Sequence, residues 1–542
     1  SWNQYNRFPH DTFMWRGVDG TEVMTHFITT PEDGSGKSYT YNGLVRPYEL
    51  KGTWDQYKQK GVNEELLMAF GWGDGGGGPT KDFLEAAEVL KDVPGLPRFE
   101  LGKMEPYLER LGERVKPKDL PVWDGELYLE YHRGTYTSQA WLKRANRQAE
   151  RLYHAAEWLS AYADALTGDR AYPQASLNDG WEMILLNQFH DILPGSSIRQ
   201  VYEDAREDFA VIERIGSDAL RAAESRIAER VRADRAGLVV WNALGWERSG
   251  LLELDWTPEL EGAALEGSGV AQASERDGRK TVLLKAASVP SLGYKAMALV
   301  PAADGAAVSG SEAIRVTRDV LENAFYVIRL NDRGQIESIY DKRNRREAVA
   351  PGQLANVLQA FEDKPINFDA WDIDIFYQEK MTVIDELVEA VVEEEGPLRG
   401  TLRLVWKFLD STITQRLTVY ADDPRIDFRT DIDWNERQIL LKAAFPVDVR
   451  ATKATYDIQF GNIERPTHWN TSWDYAKFEV CAHKWADLSE GNYGVALLND
   501  GKYGHDTRDN VMRLTLLKSP IEPDETADRG RHVFTYALLP HA

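Results

Sequence analysis

The sequence predicts a multidomain protein of mixed architecture, with an α/β region, a three-helix bundle and an all-β sandwich, α+β overall. Apolar residues recur at helical spacing up to about residue 235 and at a spacing of two beyond it. The chain has 542 residues, of which 43% are hydrophobic, so it is long enough to bury several cores. These observations together predict four domains along the chain.

Residues 1–135 combine strand and helix signals, which is typical of an α/β domain. Short apolar runs at 22–30 and 66–71 suit buried strands, because both are brief and lie between loops and helices. A helical pattern of apolar residues follows over 81–93. We therefore predict an α/β domain over 1–135.

Three amphipathic patterns follow one another in the next hundred residues. They cover 138–166, 177–189 and 211–233, each with apolar residues at helical spacing. Consecutive amphipathic helices bury their apolar faces most simply against one another. The sequence therefore predicts a three-helix bundle over 136–235.

The period changes to two after the bundle. A strand pair over 238–255 predicts a small β domain over 236–305, and the Ala- and Gly-rich stretch 301–311 reads as a linker between β units.

A large β-sandwich is predicted over 306–542. Strands at 326–330 and 335–340 flank a short turn whose Gly334 can adopt positive φ, which is typical of a hairpin. Strict alternation of apolar and charged residues over 425–434 predicts a strand with one solvated face.

Composition excludes several classes of partner. With 64 Lys and Arg against 87 Asp and Glu, the net charge is −23, and the basic residues are scattered, which argues against nucleic acid and anionic membranes. Cys481 is the only cysteine, so an intrachain disulfide is impossible and a thiolate metal cluster is excluded. No apolar run approaches the roughly 20 residues that a membrane helix needs. We expect a neutral or cationic ligand and a reducing compartment.

The most informative motif is Asn-Gln-Phe-His-Asp-Ile-Leu-Pro-Gly-Ser-Ser-Ile at 187–198, where a helix gives way to a Pro-Gly turn. His190 can offer a neutral imidazole nitrogen to a divalent metal, and the adjacent Asp191 can orient that ring or bind in its own right. The alternative is a helix cap, in which the pair satisfies carbonyl groups at the end of the helix. Spacing alone leaves both interpretations open.

The segment 126–139 concentrates two carboxylates, a histidine and three tyrosines. On a strand, Glu126, Glu130 and His132 would share one face. A retaining glycosidase needs a carboxylic acid and a carboxylate nucleophile roughly 5 to 5.5 Å apart. An exposed acidic strand edge is the alternative explanation.

A glycine run at 74–80, Asp-Gly-Gly-Gly-Gly-Pro-Thr, lies between a predicted strand and a predicted helix. Backbone without side chains can approach a ligand closely there. The spacing of a phosphate-binding loop is missing, so nucleotide binding is the weaker interpretation. Ligands of open α/β sheets collect at the carboxyl ends of strands, which favours Asp74 as an acceptor for a sugar hydroxyl.

The motif at 187–198, together with Leu185, Leu186 and the residues 201–204 beside it, resembles the signature of the class II α-mannosidases, glycoside hydrolase family 38. The resemblance extends over nearly the whole chain and is greatest to the branch of cytosolic and vacuolar enzymes. Further segments that carry it lie at 2–6, 13–21, 361–377, 458–473 and 497–504.

The resemblance implies roles for the candidate residues. His190 corresponds to a ligand of the family's catalytic zinc, and Asp191 would be an accessory ligand. The resemblance implies Zn²⁺ as the metal of this site, with Co²⁺ or another divalent metal as the alternative. The acid/base residue of the family precedes the bundle, which makes Glu130 the first candidate and Glu126 the second.

Substrate-binding roles are implied for a second set of residues. The family's β region contributes side chains to the sugar pocket, so Lys502 is a candidate hydroxyl contact, with a solvated hairpin tip as the alternative. Candidate sugar contacts outside the β region are Asp74, His132 and Tyr136.

The family pattern also includes residues that we expect outside this sequence. Its members take a His-x-Asp metal pair and the nucleophilic aspartate from a region ahead of the segment 2–6, and His10-Asp11 lacks that spacing. Relatives also continue beyond 538–542, so the sandwich is expected to be truncated at its C-terminus. Residues 1–135 are then the C-terminal part of an α/β catalytic domain. We expect this chain alone to bind zinc weakly and to turn over little substrate.

The function implied is a retaining α-mannosidase that acts on terminal α-mannosyl residues of oligosaccharides with a divalent metal. A non-catalytic carbohydrate-binding or scaffold protein of the same architecture is the alternative. The expected partner is a mannose-containing oligosaccharide, without nucleic acid or membrane, and the expected location is cytoplasmic. A homo-oligomer is compatible with this interpretation.

Overall fold

The computed structural model describes residues 6–34, 38–74, 77–302 and 313–542, in two compact units. The first unit contains Ser1–Tyr131, Gly461–Ile463 and Asn470–Lys477, and the second contains the other segments of the chain. Residues 1–5, which carry part of the family resemblance, and 303–311 of the predicted linker lie outside the described residues.

A small sheet and three helices form the first unit. The strands are β1 (Thr12–Arg16), β2 (Glu22–His26) and β3 (Val122–Asp124), with β1 antiparallel to β2 and parallel to β3. The helices are α1 (Pro47–Gln56), α2 (Lys81–Leu90) and α3 (Met104–Arg114). Tyr107 and Leu111 lie one turn apart on α3, and both belong to the same buried core as Met14 of β1.

Two sequence predictions in this unit were wrong. The run 66–71 is not a strand, because only one bridge, from Phe70 to Gly43, connects it to a neighbour in the described part of the chain. Strand β2 exists, but it is exposed or half-buried along its length rather than buried. In contrast, α2 confirms the helix predicted over 81–93.

The second unit begins with the three helices α4 (Ala140–Thr167), α5 (Gln174–Asn187) and α6 (Arg199–Ala228). Their shared core includes Leu142, Tyr153, Leu177, Ile184 and Ile212, and full burial of each leucine or isoleucine contributes about 1.5–3 kcal/mol. The three predicted helices are confirmed. Helix α6 begins 12 residues before the predicted start at 211, because charged residues interrupt the apolar pattern of its first turns.

Two small sheets follow, formed by β4 (Gly237–Asn242), β5 (Arg248–Asp255), β6 (Ala263–Leu265), β7 (Ala271–Arg276), β8 (Arg279–Val289) and β9 (Gly293–Pro301). Their strand orders are β4-β9-β6 and β5-β8-β7. A core that includes Leu265, Leu284 and Met297 draws side chains from strands of both sheets.

The next sheet contains the predicted hairpin. Its strands are β10 (Arg315–Val316), β11 (Val320–Glu322), β12 (Tyr326–Leu330), β13 (Ile336–Asp341) and β14 (Arg346–Glu347), in sequence order. Antiparallel pairing of β12 with β13 confirms the hairpin. Gly334 in its turn has φ +75°, the backbone region that a residue with Cβ rarely adopts.

Two large antiparallel sheets complete the chain. Their strands are β15 (Val357–Glu362), β16 (Met381–Ile384), β17 (Glu386–Glu395), β18 (Arg399–Phe408), β19 (Ser411–Tyr420), β20 (Ile426–Trp434), β21 (Ile439–Pro446), β22 (Lys453–Ile458), β23 (Gly461–Pro466), β24 (Val480–Cys481), β25 (Trp485–Glu490), β26 (Tyr493–Asn499), β27 (Gly504–Arg508), β28 (Val511–Lys518) and β29 (Gly530–His541). The short helix α7 (Ser472–Tyr475) belongs to the first unit. One sheet has the order β16-β15-β21-β28-β27-β24, and the other has the order β17-β18-β19-β20-β29-β26-β25-β22-β23.

Strand β20 shows how the predicted alternation is realised. Its apolar side chains are buried, while Arg429 and Asp433 are exposed. Asp427 departs from the pattern, because it is buried where it accepts hydrogen bonds from the Tyr420 hydroxyl and the Arg425 guanidinium. No helix of the described residues is long and apolar enough to cross a membrane.

Candidate functional site

The His190-Asp191 pair lies in a tight turn directly after α5. The amide of Gln188, which caps the helix, donates to the carbonyls of Ile184 and Leu185. The His190 side chain is 77% exposed, and its Nε2 lies 3.5 Å from Asp191 Oδ2. Its ring also contacts that of Phe189. The imidazole is therefore presented to solvent and not to the carbonyls at the end of α5, which disfavours the capping interpretation.

The turn is fixed from one side by α4. Lys143 is buried, and its Nζ donates to the carbonyls of Ser138, Leu193 (2.9 Å) and Pro194 (3.2 Å). Burial lowers the pKa of Lys143 to about 7. Gly195 has φ +91°, and a Cβ at this position would lie within 3.0 Å of the Ser138 carbonyl oxygen. The Pro-Gly turn therefore follows from two requirements, a positive φ and close contact with the backbone that leads into α4.

Hydrogen bonds fix Asp191 from the other side. Ser196 Oγ donates to Asp191 Oδ1 at 2.8 Å, and the Tyr202 hydroxyl donates to the Asp191 carbonyl at 3.3 Å. The same hydroxyl accepts the amide hydrogen of Ser197 at 2.8 Å. Tyr202 is buried, so the first turn of α6 holds both ends of the motif.

The turn at His190 offers fewer donors than a catalytic metal site needs. A catalytic zinc ion takes three protein ligands, drawn from imidazole, carboxylate and thiolate groups. His190 and Asp191 offer one nitrogen and one carboxylate of suitable type. Within the described ranges, no three or more His, Cys, Asp or Glu side chains are grouped so that they could hold a metal ion. The turn thus supplies two donors but does not complete a zinc site.

The predicted acid/base segment belongs to the first unit and is not a strand. Glu130 is buried at 2% exposure, and the Asn6 side-chain amide donates to both of its carboxylate oxygens, at 3.0 and 3.2 Å. Glu126 is half-buried, and its carbonyl accepts from Trp123 Nε1 at 3.4 Å. The prediction of a shared strand face was wrong, but the two carboxylates are not an exposed acidic edge either.

The second unit begins at His132, another predicted substrate residue. Its φ of 60° lies in the left-handed region, which ends any extended run from Glu126. The His132 amide donates to Asp372 Oδ1 at 2.7 Å, and the Gly134 amide donates to the Trp371 carbonyl at 2.7 Å. The His132 side chain is 50% exposed, and its Nδ1 lies 3.5 Å from the same Asp372 oxygen.

Sequence reasoning about individual roles missed Asp372 and Asn6. The first lies in the segment 361–377 that carries part of the family resemblance, so that segment was the available signal. Asn6 also lies in a segment that carries the resemblance, 2–6, but no local pattern predicts its contact with Glu130, which is 124 positions away in sequence. Tyr136, the other substrate candidate in this passage, is half-buried in the short 3₁₀ turn that follows His132.

Asp74 lies in the first unit, on an exposed loop. Its φ is +54°, and Oδ1 accepts a hydrogen bond from the Tyr41 hydroxyl at 3.1 Å. The segment before it runs close to the backbone at Gly43, whose amide donates to Ala69 and whose carbonyl accepts from Gly71. A Cβ on Gly43 would clash with this neighbouring segment. Gly75 and Gly76 of the glycine run lie outside the described residues.

The structure places Lys502 away from solvent. Its side chain is buried, with Nζ donating to the Leu516 carbonyl at 2.6 Å and lying 4.0 Å from the centre of the Phe534 ring. The turn is not a solvated hairpin tip, because Asp500 forms an ion pair with Arg144 at 2.7 Å. A buried ammonium with these partners is not accessible to a sugar hydroxyl. Lys502 is therefore neither an accessible sugar contact nor a solvated tip, and its contacts are those of a residue that stabilises the fold.

Models of one protein family match successive parts of the chain. The Glycosyl hydrolases family 38 N-terminal domain matches residues 1–126. The Alpha mannosidase middle domain matches residues 130–227, and the Glycosyl hydrolases family 38 C-terminal domain matches residues 321–526. The matches therefore include the segments around Asp74, Glu130 and His190.

Curated relatives align along the whole chain. Alpha-mannosidase 2C1 of Homo sapiens is 37% identical over 551 residues, which cover 100% of this chain and 49% of the relative. Alpha-mannosidase G of Dictyostelium discoideum is 36% identical and covers 100% of this chain and 52% of its own length. Alpha-mannosidase of Saccharomyces cerevisiae is 32% identical, with 100% and 47% covered. The chain spans about half the length of the curated relatives it matches.

A solved structure supports the architecture. The crystal structure of an alpha-mannosidase from Enterococcus faecalis V583 matches with a TM-score of 0.78 and 16% identity, over 98% of this chain and 69% of that chain. At this identity the match shows the fold alone. It confirms the predicted multidomain combination of α/β, helical and all-β parts.

Proposed function

The chain belongs to glycoside hydrolase family 38, and from that membership we propose that its protein is a retaining α-mannosidase acting on terminal α-mannosyl residues of oligosaccharides. The observation that carries this proposal is the agreement between the family matches and the exposed His190-Asp191 turn. A motif whose histidine is exposed while its surrounding backbone is held by buried partners is typical of a binding site and not of a core.

The His190 imidazole is proposed to bind a divalent metal, zinc or cobalt, with Asp191 as an accessory ligand. When bound, such a metal would hold sugar hydroxyls and assist distortion of the ring. The contribution of this chain is orientation. Ser196 holds the Asp191 carboxylate, and Lys143 with Tyr202 holds the backbone, so the imidazole is presented from a rigid turn.

Glu130 is proposed as the general acid/base, with Glu126 as the second candidate. A glycosidase acid protonates the leaving oxygen and then activates water by removing a proton. The Asn6 amide, bonded to both Glu130 oxygens, would keep the carboxylate in one orientation. Asp74, His132 and Tyr136 are proposed as contacts to sugar hydroxyls, whereas the buried Lys502 has no part in the proposal.

The non-catalytic alternative has one supporting observation. The described residues provide only two donors at the turn, so a carbohydrate-binding protein without turnover would also fit them. The two functions differ in a direct assay, because a binding protein retains affinity for mannosides and releases no product.

The proposal also includes the domain organisation of the protein, its location and its partners. We propose that the protein is divided into the predicted domains, 1–135, 136–235, 236–305 and 306–542. A cytoplasmic location suits the single cysteine, and no nucleic acid or membrane partner is proposed.

The test uses the protein that carries these 542 residues and compares an aryl α-mannoside with a mannose disaccharide. Glu130→Gln should lower kcat by about 10²- to 10⁴-fold on the disaccharide, because its alkoxide leaving group needs a proton. The loss on the aryl mannoside should be smaller, since a phenolate leaves with less assistance. Product anomers read by NMR before mutarotation should show retention.

His190→Ala should abolish the part of the activity that a chelator removes and added Zn²⁺ restores. His154→Ala is the matched control, because His154 is also an exposed histidine of the bundle. If His190→Ala behaves like His154→Ala, the proposed metal role is wrong. Binding of mannosides without product from any variant would favour the non-catalytic alternative.

A further inference from the structure

A polar cavity lies where the first turns of α4 and α6 meet the loop before β29. Its volume is about 400 Å³, within the range of about 300–1,000 Å³ that small-molecule sites occupy. The lining includes Trp141, Arg206 and Arg529, together with the acidic residues Asp524 and Asp528. The residues proposed above for mannoside hydrolysis are not part of this lining.

The acidic groups of the cavity are already occupied by donors of the protein. Asp528 accepts the backbone amides of Gln139 and Ala140, both at 2.7 Å. Asp524 accepts the Gln139 side-chain amide at 2.8 Å and both the amide and the hydroxyl of Thr526. Together the two carboxylates accept five hydrogen bonds, so more than half of their roughly eight acceptor positions are occupied.

Three further charged residues of the lining, Glu203, Arg199 and Arg531, already form ion pairs within the protein. Arg199 Nε donates to Glu203 at 2.9 Å, one turn away on α6. Arg531 donates from Nε and Nη2 to the two oxygens of Asp431, at 3.0 and 2.6 Å. His532 adds no charge, because burial lowers its pKa to about 4 and leaves the imidazole neutral at pH 7.

Arg206 and Arg529 are different. In the described part of the chain, neither guanidinium has an ion pair or a hydrogen-bond acceptor, although each carries five N–H donors. Arg206 lies over the Trp141 ring, 4.0 Å from its centre, so one face of the guanidinium is already covered. Asp524 and Asp528 act on Arg206 only through space, and partial burial lowers its pKa.

The hydrogen-bonding capacity left in the cavity thus consists mainly of arginine donors. A neutral sugar offers hydroxyls that need acceptors as well as donors, and most acceptor positions of Asp524 and Asp528 are already occupied. A tetrahedral oxyanion offers acceptors alone and matches the fork of a guanidinium. In a chain of net charge −23, such a cavity is a local exception to the repulsion of anions.

We propose that this cavity binds a phosphate group, free or as the monoester of a small molecule, through Arg206 and Arg529. The site would be independent of the mannoside site in its ligand chemistry. The cavity is larger than an inorganic phosphate ion, so it has room for the organic part of a phosphate monoester.

Isothermal titration of the intact protein with inorganic phosphate, with a hexose 6-phosphate and with methyl α-mannoside tests the proposal. Arg206→Gln and Arg529→Gln should each weaken phosphate binding by at least about tenfold, the loss expected for a charge-assisted hydrogen-bond pair. Arg221→Gln is the matched control, because Arg221 is an exposed arginine of the same helix, is paired with Asp218 and does not line the cavity. It should change the affinity less than twofold.

The probes separate the two sources of the phosphate group. Equal affinity for inorganic phosphate and the hexose phosphate would identify a free oxyanion, and tighter binding of the ester would identify a monoester site. The proposal is overturned if neither inorganic phosphate nor the hexose phosphate shows saturable binding at about one tenth of the physiological salt concentration. Equal losses in Arg206→Gln and Arg221→Gln also overturn it, since they would show attraction to surface charge in general. Unfolding temperatures of the variants would confirm that the exposed substitutions leave the fold intact.

Discussion

The conformation of the His190 turn depends on single residues, and Gly195 is the clearest example. Its φ of +91° excludes most side chains, and the Ser138 carbonyl occupies the space that a Cβ would need. Gly168, after α4, also has positive φ at +75°, but no atom of the described segments would lie within 4 Å of its Cβ. The two glycines therefore separate the effect of backbone conformation from the effect of packing.

Gly195→Ala should lower the free energy of unfolding by more than about 3 kcal/mol, because strain and a backbone clash add. Gly168→Ala should cost about 1 kcal/mol, since only the left-handed conformation is penalised. Urea unfolding followed by circular dichroism measures both. Equal losses in the two variants would mean that the contact with Ser138 relaxes without cost. The same Gly195 variant should also lose the His190-dependent activity.

Whole elements were predictable wherever one period dominated a long stretch. The bundle helices and β20 were read correctly, because their apolar residues repeat over many positions. The run 66–71 is apolar but, among the residues that the structure describes, has no strand partner apart from one bridge, and no local pattern shows which residues will pair. Pairing partners are a property of the assembled sheet, so short apolar runs carry the least information.

The sheet formed by β15, β16, β21, β24, β27 and β28 contains a charge that no periodicity predicts. Lys442 on β21 is fully buried, and its Nζ binds the carboxylates of Glu479 and Asp506. Lys442→Met should destabilise the protein by about 3–5 kcal/mol, because two buried carboxylates lose their shared cation. Chemical denaturation is the measurement.

A solvent-exposed ion pair provides the control for the buried Lys442. Lys453 bonds to Glu464 at 2.8 Å, and both side chains are more than half exposed. Lys453→Met should change the free energy of unfolding by less than about 1 kcal/mol. Adding Glu479→Gln to Lys442→Met should recover part of the loss, since one buried negative charge is removed. A loss no larger than that of Lys453→Met would show that water reaches the buried carboxylates.

On the scale of the whole molecule, the candidate site was predictable only in parts. The sequence located His190 and Asp191 through a specific motif, and the structure shows the pair exposed on a fixed turn. It did not reveal that Asn6 holds Glu130, because such contacts join distant positions of the chain. The prediction of an accessible Lys502 was wrong. An Asn-Asp-Gly-Lys turn is typical of the surface, whereas neighbouring residues cover the Lys502 side chain here.

Stability of the whole molecule should depend on pH through its buried histidines. Burial lowers the pKa of His505 and His532 to about 4, whereas their unfolded value is about 6.5. Between pH 6.5 and 4 the unfolded chain therefore binds more protons, and each histidine removes up to about 3 kcal/mol of stability as the pH falls through this window. Burial raises the pKa of Glu479 to about 7 and of Asp528 to about 6, so these carboxyls act in the opposite direction below pH 7.

The histidine contribution can be isolated by comparing variants across this pH window. Replacing His505 and His532 together by glutamine should lower stability at pH 7 through lost packing, yet reduce the slope of unfolding free energy between pH 6.5 and 4. The slope should become shallower but keep its sign, because burial also lowers the pKa of His26 to about 4 and this histidine remains in the variant. His154→Gln, at an exposed position of the bundle, should leave the slope unchanged. An unaltered slope in the double variant would mean that both imidazoles take up protons in the folded protein as readily as in the unfolded chain, which requires water to reach them.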